Sequence, residues 1–228
     1  MNPLAETQLD EAVGLLGLPR EARVLEVACG KGEVLRRIHA RFGARGYGYD
    51  SDTAAIAAAR ERAPGLDFLV ADAPPPGPWD LVACVASSHA LGGFPAALAA
   101  LRELAAPGGQ VLLGEGYWRR PPSEAYLAAL GGASADELPG LPGLLRACEE
   151  AALTPLWMSA VSEADWDRYE WRLVLNTERW AAEHPADPGA ATMRERAARA
   201  RARLGLPHGR ETLGFALLIL RRDEDSRA

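Results

Sequence analysis

The stretch Val24–Leu35 constrains the fold of this chain most, because an apolar run carrying a carboxylate breaks there into a turn of small residues. The run up to Val27 reads as a buried strand, and Val34 begins the apolar face of a helix. Between them, Gly30 and Gly32 let the backbone turn sharply and approach a ligand closely. The N–H groups that open a helix offer hydrogen bonds and a partial positive charge. The stretch therefore predicts a strand, a turn and a helix that bind a nucleotide-like cofactor.

Composition limits the classes of partner. The 228 residues suffice for one large α/β domain with a full core, and the net charge of -6 provides no basic field for a polyanion. Nucleic acid and anionic membranes are therefore not expected as partners. Three cysteines without C-x-x-C spacing indicate reduced thiols, and no apolar run approaches the ~20 residues that span a bilayer. We expect a cytoplasmic protein, monomeric or homodimeric, without a metal site.

Strands and helices alternate along the first half of the chain. The predicted strands are 23–28, 44–50, 66–71, 79–85 and 110–115, and the helices between them are 31–42, 52–63 and 94–105. Repeated βα units imply right-handed crossovers and a parallel, doubly wound sheet. A turn at 107–109 should lead into the fifth strand, and a loop at 117–122 should follow it. Two more strands are predicted near 155–161 and 212–220, with helices at 163–182 and 190–204 between them.

Three acids stand at the carboxyl ends of successive strands: Glu26 at the first, Asp50 at the second and Asp72 at the third. In open α/β sheets, ligands bind in the crevice beyond the carboxyl ends of the strands. A carboxylate at Asp50 can accept hydrogen bonds from two vicinal ribose hydroxyls, and one at Asp72 can accept a hydrogen bond from an exocyclic amine. The three positions together describe a site for adenosine.

At these residues the chain resembles the class I S-adenosylmethionine-dependent methyltransferases, whose motif is an acid followed by glycines at alternate positions. Here the motif runs from Glu26 to Gly32, with Ala28 in place of the first glycine. Later blocks of the family are matched by Tyr49-Asp50, Val70-Ala71-Asp72-Ala73, Trp79-Asp80-Leu81-Val82 and Pro107-Gly108-Gly109-Gln110-Val111-Leu112. The resemblance implies a Rossmann-like, seven-stranded, mostly parallel sheet with an antiparallel last strand.

The resemblance also implies S-adenosyl-L-methionine as methyl donor and S-adenosyl-L-homocysteine as product. We expect one domain over residues 1–228, with lid-like insertions at about 117–142 and 163–208. Asp50 is expected on the ribose and Asp72 near the adenine amine. The expected cofactor-binding residues are Glu26, Ala28, Cys29, Gly30, Gly32, Asp50, Ser51, Asp72, Ala73 and Ser87.

Two other functions use similar residues. A nicotinamide-dependent oxidoreductase shares the strand-turn-helix plan, but its fingerprint needs a third small residue where Leu35 stands here. A protein that binds S-adenosylmethionine without catalysis would carry the same cofactor residues. The leading hypothesis is methyl transfer to a small-molecule acceptor, since the sequence after strand four, Ala86-Ser87-Ser88-His89, lacks the Asn/Asp-Pro-Pro-aromatic element of enzymes that methylate base amines.

Candidate catalytic residues lie beyond strands four and five. His89 could act as a general base, or it could simply pack or cap beside the cofactor. Glu115 could orient a cationic acceptor and Tyr117 could hydrogen-bond it, whereas the structural alternative pairs Glu115 with an arginine. In the second insertion, helical spacing of Trp166, Tyr169, Leu173 and Trp180 indicates core packing on a face that would also shape the acceptor pocket.

Overall fold

The computed structural model describes residues 2–224, so the ends of the predicted domain, at 1 and 228, lie outside the described residues. The seven strands are β1 Arg23–Val27, β2 Arg45–Asp50, β3 Asp67–Val70, β4 Trp79–Val85, β5 Ala105–Trp118, β6 Leu153–Ala160 and β7 Leu213–Arg222. The helices are α1 Glu6–Leu15, α2 Glu33–Phe42, α3 Thr53–Arg62, α4 Phe94–Leu104, α5 Glu124–Ala129, α6 Leu141–Glu150, α7 Glu163–Glu183, α8 Ala190–Leu204 and α9 Gly209–Thr212.

The strands form one sheet in the order β3-β2-β1-β4-β5-β7-β6. Strands β1 to β5 pair in parallel, with Val27 opposite Tyr49 and Glu26 opposite Ala83. β7 runs antiparallel, which confirms the predicted fold class. Because β1 lies between β2 and β4, and the strand order reverses there, the carboxyl end of β1 opens onto the crevice where such sheets bind ligands.

The residues that flank helices α2 and α3 explain where these helices begin. Gly32 and Gly43, both in the left-handed region, flank α2, which buries Val34, Leu35 and Ile38. The Asp52 carboxylate caps α3 by accepting hydrogen bonds from the backbone N–H groups of two alanines in its first turn. The predicted elements around the first three strands are thus confirmed to within a few residues.

The fifth strand differs from the prediction at both ends. β5 begins at Ala105, which pairs with Trp79, yet Leu81 pairs with Gln110. Five residues of β5 therefore lie opposite two of β4, and the Pro-Gly-Gly segment bulges within the strand instead of forming a separate turn. At the other end β5 continues to Trp118, so the predicted loop at 117–122 was wrong in its first two residues.

The described chain divides into two compact units. The first comprises Glu6–Glu115, Pro142–Ser159 and the described residues from Ala216 onward; the second comprises Gly116–Leu141, Ala160–Phe215 and the described residues before Glu6. The second unit overlaps the two predicted insertions, and their action as a lid stays a prediction. Among residues 2–224, no helix is both long and apolar enough to cross a lipid bilayer.

The second unit contains a buried ionic cluster that the sequence did not indicate. Arg203 of α8 donates to Glu170 of α7 at 2.7 Å and to the Tyr126 hydroxyl of α5 at 3.0 Å. The predicted aromatic stripe on α7 is only partly buried, because Trp166 is 5% exposed whereas Leu173 is 37% exposed. The buried face of α7 therefore differs from the predicted stripe.

Candidate cofactor site

The turn after β1 requires residues that tolerate the left-handed backbone region. Ala28, Gly30 and Gly32 have φ of 44°, 53° and 70°. A Cβ added to Gly32 would lie 2.6 Å from ring carbons of Phe68, whereas one added to Gly30 would meet no atom within 4 Å. The turn is thus packed against β3 at Gly32 and has open space at Gly30.

The side chain of Asp50 is hydrogen-bonded directly to this turn. One carboxylate oxygen of Asp50 accepts the backbone N–H of Gly30 at 2.8 Å, and the other accepts the N–H of Asp52 at 2.9 Å. The N–H of Cys29 also donates to the Tyr49 carbonyl at 2.9 Å. Because a carboxylate offers about four lone-pair sites, two acceptor positions of Asp50 stay available to a ligand.

Glu26 lies within the sheet and is 5% exposed. Its carboxylate accepts the backbone N–H of Leu35 at 3.0 Å and so satisfies one of the donors that open α2. Burial raises the pKa of Glu26 to about 8, helped by the nearby charges of Glu33 and Asp50 and opposed by the Leu35 hydrogen bond. Sequence reasoning expected a ligand at Glu26 and did not foresee its bond to the helix, since nothing in the spacing to Leu35 signals it.

Asp72 and Ala73 follow β3 and are exposed, as is Ser51 after β2. The N–H of Ala71 donates to the Asp50 carbonyl at 3.1 Å, so the backbone that leads into Asp72 runs beside Asp50. The structure therefore brings these expected adenosine contacts to one edge of the sheet.

Ser87 connects the end of β4 to the end of β1. Its buried hydroxyl donates to the Val27 carbonyl at 3.0 Å, and the sulfur of Cys84 lies 3.3 Å from the Ser87 hydroxyl oxygen. The hydroxyl proton of Ser87 is thereby directed to the strand that precedes the turn. His89 is exposed in a short 3-10 turn, Ser88–Leu91, directly after this junction.

The thiols near the site are held in the neutral form. Burial raises the pKa of Cys29 and raises that of Cys84 to about 12. A buried neutral thiol is a poor nucleophile. Cys29 instead fills space in the turn, because a Cβ added to Gly48 would lie 2.8 Å from its sulfur.

The two remaining catalytic candidates are both buried. Glu115 is 6% exposed in β5, and its charge contributes, after burial, to the raised pKa of Cys84. Tyr117 belongs to the second unit, where it is 5% exposed, and a Cβ added to Gly214 would lie 2.6 Å from its ring. Within residues 2–224 no group of three or more His, Cys, Asp and Glu side chains could hold a metal ion.

Comparison with known proteins places the chain among methyltransferases. A family model described as "Methyltransferase domain" matches residues 4–134. The uncharacterized protein YjhP of Escherichia coli (strain K12) is 31% identical over 229 residues, covering 96% of this chain and 92% of that protein. The trans-aconitate 2-methyltransferase of Paracidovorax citrulli (strain AAC00-1) is 34% identical over 119 residues, or 50% of this chain and 46% of that protein.

Solved structures with the same fold include two complexes. A SAM-dependent methyltransferase from Geobacter sulfurreducens, bound to S-adenosyl-L-homocysteine, superposes with a TM-score of 0.86 at 28% identity, covering 96% of this chain and 92% of that one. One from Thiobacillus denitrificans, bound to the same molecule, gives 0.85 at 28% identity with the same coverage. Together with the family match, these findings favour methyl transfer over nicotinamide-dependent oxidation. The chain belongs to the class I S-adenosylmethionine-dependent methyltransferases.

Proposed function

We propose that this methyltransferase holds S-adenosylmethionine at the turn after β1 and transfers its methyl group in line to a small-molecule acceptor. The observation that carries the proposal is the hydrogen bond that the Gly30 N–H donates to the Asp50 carboxylate at 2.8 Å. This bond fixes the acid that ends β2 beside an open glycine turn that follows β1. A nucleoside needs both features. The hydroxyls of its sugar donate hydrogen bonds to a carboxylate, and the nucleoside can approach the backbone closely only where no side chain fills the space.

Asp50 and Glu26 have complementary tasks in this proposal. The two acceptor positions left on Asp50 suit the two vicinal hydroxyls of a ribose. Glu26 accepts the Leu35 N–H with one oxygen, which leaves the other for the ammonium group of the methionine moiety. A cation beside Glu26 would favour its ionised form, which burial disfavours in the free protein.

The methyl group on a sulfonium is already activated, so the chain's main task is to position the acceptor. His89 follows β4 at the same edge of the sheet and is exposed to an incoming molecule. We assign it the removal of a proton from the acceptor. A neutral imidazole ring carries one nitrogen with a free lone pair, which can accept the proton.

A small acceptor is supported by charge and by one relative. The net charge of -6 gives no field that would concentrate nucleic acid. The trans-aconitate 2-methyltransferase named above is called after a small carboxylic acid and shares 34% identity over half of this chain. Small carboxylic acids are therefore the first class of acceptor to be tried, followed by amines and thiols.

The experiment has a binding stage and a turnover stage. Isothermal titration with S-adenosylmethionine should give a saturable 1:1 isotherm, and release of S-adenosylhomocysteine should then depend on a small molecule from the panel, with trans-aconitate included. His89→Ala should lower turnover and leave the titration nearly unchanged. Binding without turnover against small-molecule extracts would support a non-catalytic binding protein instead, and full activity of His89→Ala would remove the proposed base.

A further inference from the structure

Helix α7 has two faces of different character. Its inner face buries Trp166, Glu170, Val174 and Ala181, and Glu170 forms the ion pair with Arg203 of α8. The inner face therefore accounts for how α7 packs within its own unit. It leaves the exposed sides of this 21-residue helix to be explained.

A neighbouring side of α7, turned by roughly 115° from the inner face at 3.6 residues per turn, carries a second regular stripe, which we call the outer seam. Its members recur at alternating spacings of four and three residues: Ala164, Arg168, Trp171, Leu175, Glu178 and Ala182. At 3.6 residues per turn these six positions fall within about 80° of one another around the helix axis. Alternating spacings of four and three define the contact line of a coiled coil, so the outer seam has the geometry of a helix-pairing surface.

The centre of the outer seam is apolar and accessible. Trp171 is 48% exposed and Leu175 is 47% exposed, one helical turn apart. Single exposed apolar residues are common on proteins, but an exposed tryptophan and an exposed leucine one turn apart on the same helix face are typical of an interaction surface. The charged members are accessible too, with side-chain exposures of 61% for Arg168 and 37% for Glu178.

The order of residues along the outer seam specifies the partner. Reading the seam from either end gives a small residue, then a charge, then a large apolar side chain. When two copies of α7 lie antiparallel about the point of the seam midway between Trp171 and Leu175, Trp171 of each copy faces Leu175 of the other. Arg168 then faces Glu178, and Ala164 faces Ala182. A surface that complements itself under a two-fold rotation is the requirement for an isologous dimer.

We propose that the outer seam of α7 binds the same seam of a second copy of this chain, antiparallel and about a two-fold axis that crosses the seam midway between Trp171 and Leu175. The seam spans 19 residues, or about 28 Å of helix, and its apolar centre is two side chains from each copy. Such a contact lies at the small end of protein interfaces, so we expect a dimer that dissociates on dilution.

The local partners of the charged seam residues are compatible with this contact. Arg168 pairs with Asp165 on its own helix, and Glu178 pairs with Arg201 of α8. Both bonds lie on the flank of the seam, and the exposed part of each side chain stays accessible. Exposed ion pairs contribute little on their own, so a second partner across the dimer adds to them.

The test uses the symmetry of the seam. Sedimentation equilibrium of the full chain over a range of concentrations should show a mass that rises from one copy toward two. Arg168→Glu and Glu178→Arg should each remain monomeric, because each places like charges opposite one another at both ends of the seam. The double variant Arg168→Glu/Glu178→Arg should dimerise again. An equimolar mixture of the two single variants should form a mixed dimer, since every facing pair is then of opposite sign.

Two further variants separate the seam from general effects of an added charge. Trp171→Arg should raise the dissociation constant at least tenfold, whereas Leu156→Arg, at a residue 49% exposed on β6, should leave it unchanged. Circular dichroism establishes that each variant is folded. A wild type that is monomeric at every concentration, a mixture of the single variants that does not assemble, or a Trp171→Arg variant with an unchanged dissociation constant would each overturn the proposal.

Discussion

The backbone N–H of Gly30 donates to the carboxylate of Asp50 at 2.8 Å, which ties the turn after β1 to the residue that ends β2. The two residues are separated by α2 in the sequence and meet because β1 and β2 pair in parallel. This bond orients a charged acceptor at the carboxyl edge of the sheet before any ligand arrives. Preorganisation of this kind lowers the entropic cost of binding.

Replacing Asp50 should therefore weaken the cofactor site more than the fold. Asp50→Ala removes the acceptors offered to the ribose and releases the Gly30 N–H, so the dissociation constant for S-adenosylmethionine should rise about tenfold to 100-fold. Asp67→Ala, at an exposed carboxylate that begins β3, is the matched control. Isothermal titration measures both. Equal affinity of the Asp50 variant and the control would take Asp50 out of the ribose site.

Glu26 should make the stability of the cofactor-free protein depend on pH. Its pKa rises from the ordinary 4.5 to about 8 in the folded chain, chiefly through burial. The folded state then holds a proton that the unfolded chain releases, so the contribution of Glu26 is fully present below about pH 4.5 and is lost as the pH rises through 8.

Glu26→Gln should remove this dependence, because the neutral amide oxygen can still accept the Leu35 N–H. Relative to wild type, the variant should gain on the order of 2–4 kcal/mol in free energy of unfolding between pH 5 and pH 8.5. Urea unfolding at both pH values measures the difference. Glu26→Ala serves as the comparison that also loses the helix bond. Parallel pH profiles for wild type and Glu26→Gln would contradict a raised pKa.

The glycines of the turn should differ in what they tolerate. Gly32→Ala forces a Cβ to 2.6 Å from Phe68 at a φ of 70°, so it should cost about 2–4 kcal/mol of stability. Gly30→Ala has open space and should cost only about 1 kcal/mol for its backbone conformation. Gly14→Ala, on the exposed side of α1 with no atom within 4 Å, should be neutral or stabilising. Thermal unfolding ranks the three, and a Gly32 variant as stable as the Gly14 variant would contradict the packing at Phe68.

The buried pair of Glu170 and Arg203 should show strong coupling. Their side chains are 5% and 8% exposed and 2.7 Å apart, so removal of either partner leaves a buried charge and should cost about 3–5 kcal/mol. The double variant Glu170→Leu/Arg203→Met should recover most of that loss. A double-mutant cycle by denaturant unfolding measures the coupling. Additive losses would mean that the two charges do not depend on each other.

The elements of the first five strands follow from local chemistry, and the sequence predicted them well. The small residues after Val27, the cap at Asp52 and the alternation of apolar runs with helical periodicity are all properties of short segments. The Pro-Gly-Gly bulge in β5 was misread as a turn, because its place within the strand depends on pairing with β4. The local sequence of a segment does not show which strand it will pair with.

The sequence by itself determined the kind of site, since three acids at the ends of successive strands and a glycine turn specify a place for adenosine. Tertiary structure decided what those residues do. Parallel pairing of β1 with β2 brings the Gly30 N–H to Asp50. The packing of α2 places the Leu35 N–H within hydrogen-bond distance of the buried Glu26 carboxylate. The pairing of α7 with α8 buries Glu170 and leaves Trp171 exposed. Such contacts join residues distant in the chain, and the free energy that makes them comes from surfaces that exist only once the chain has folded.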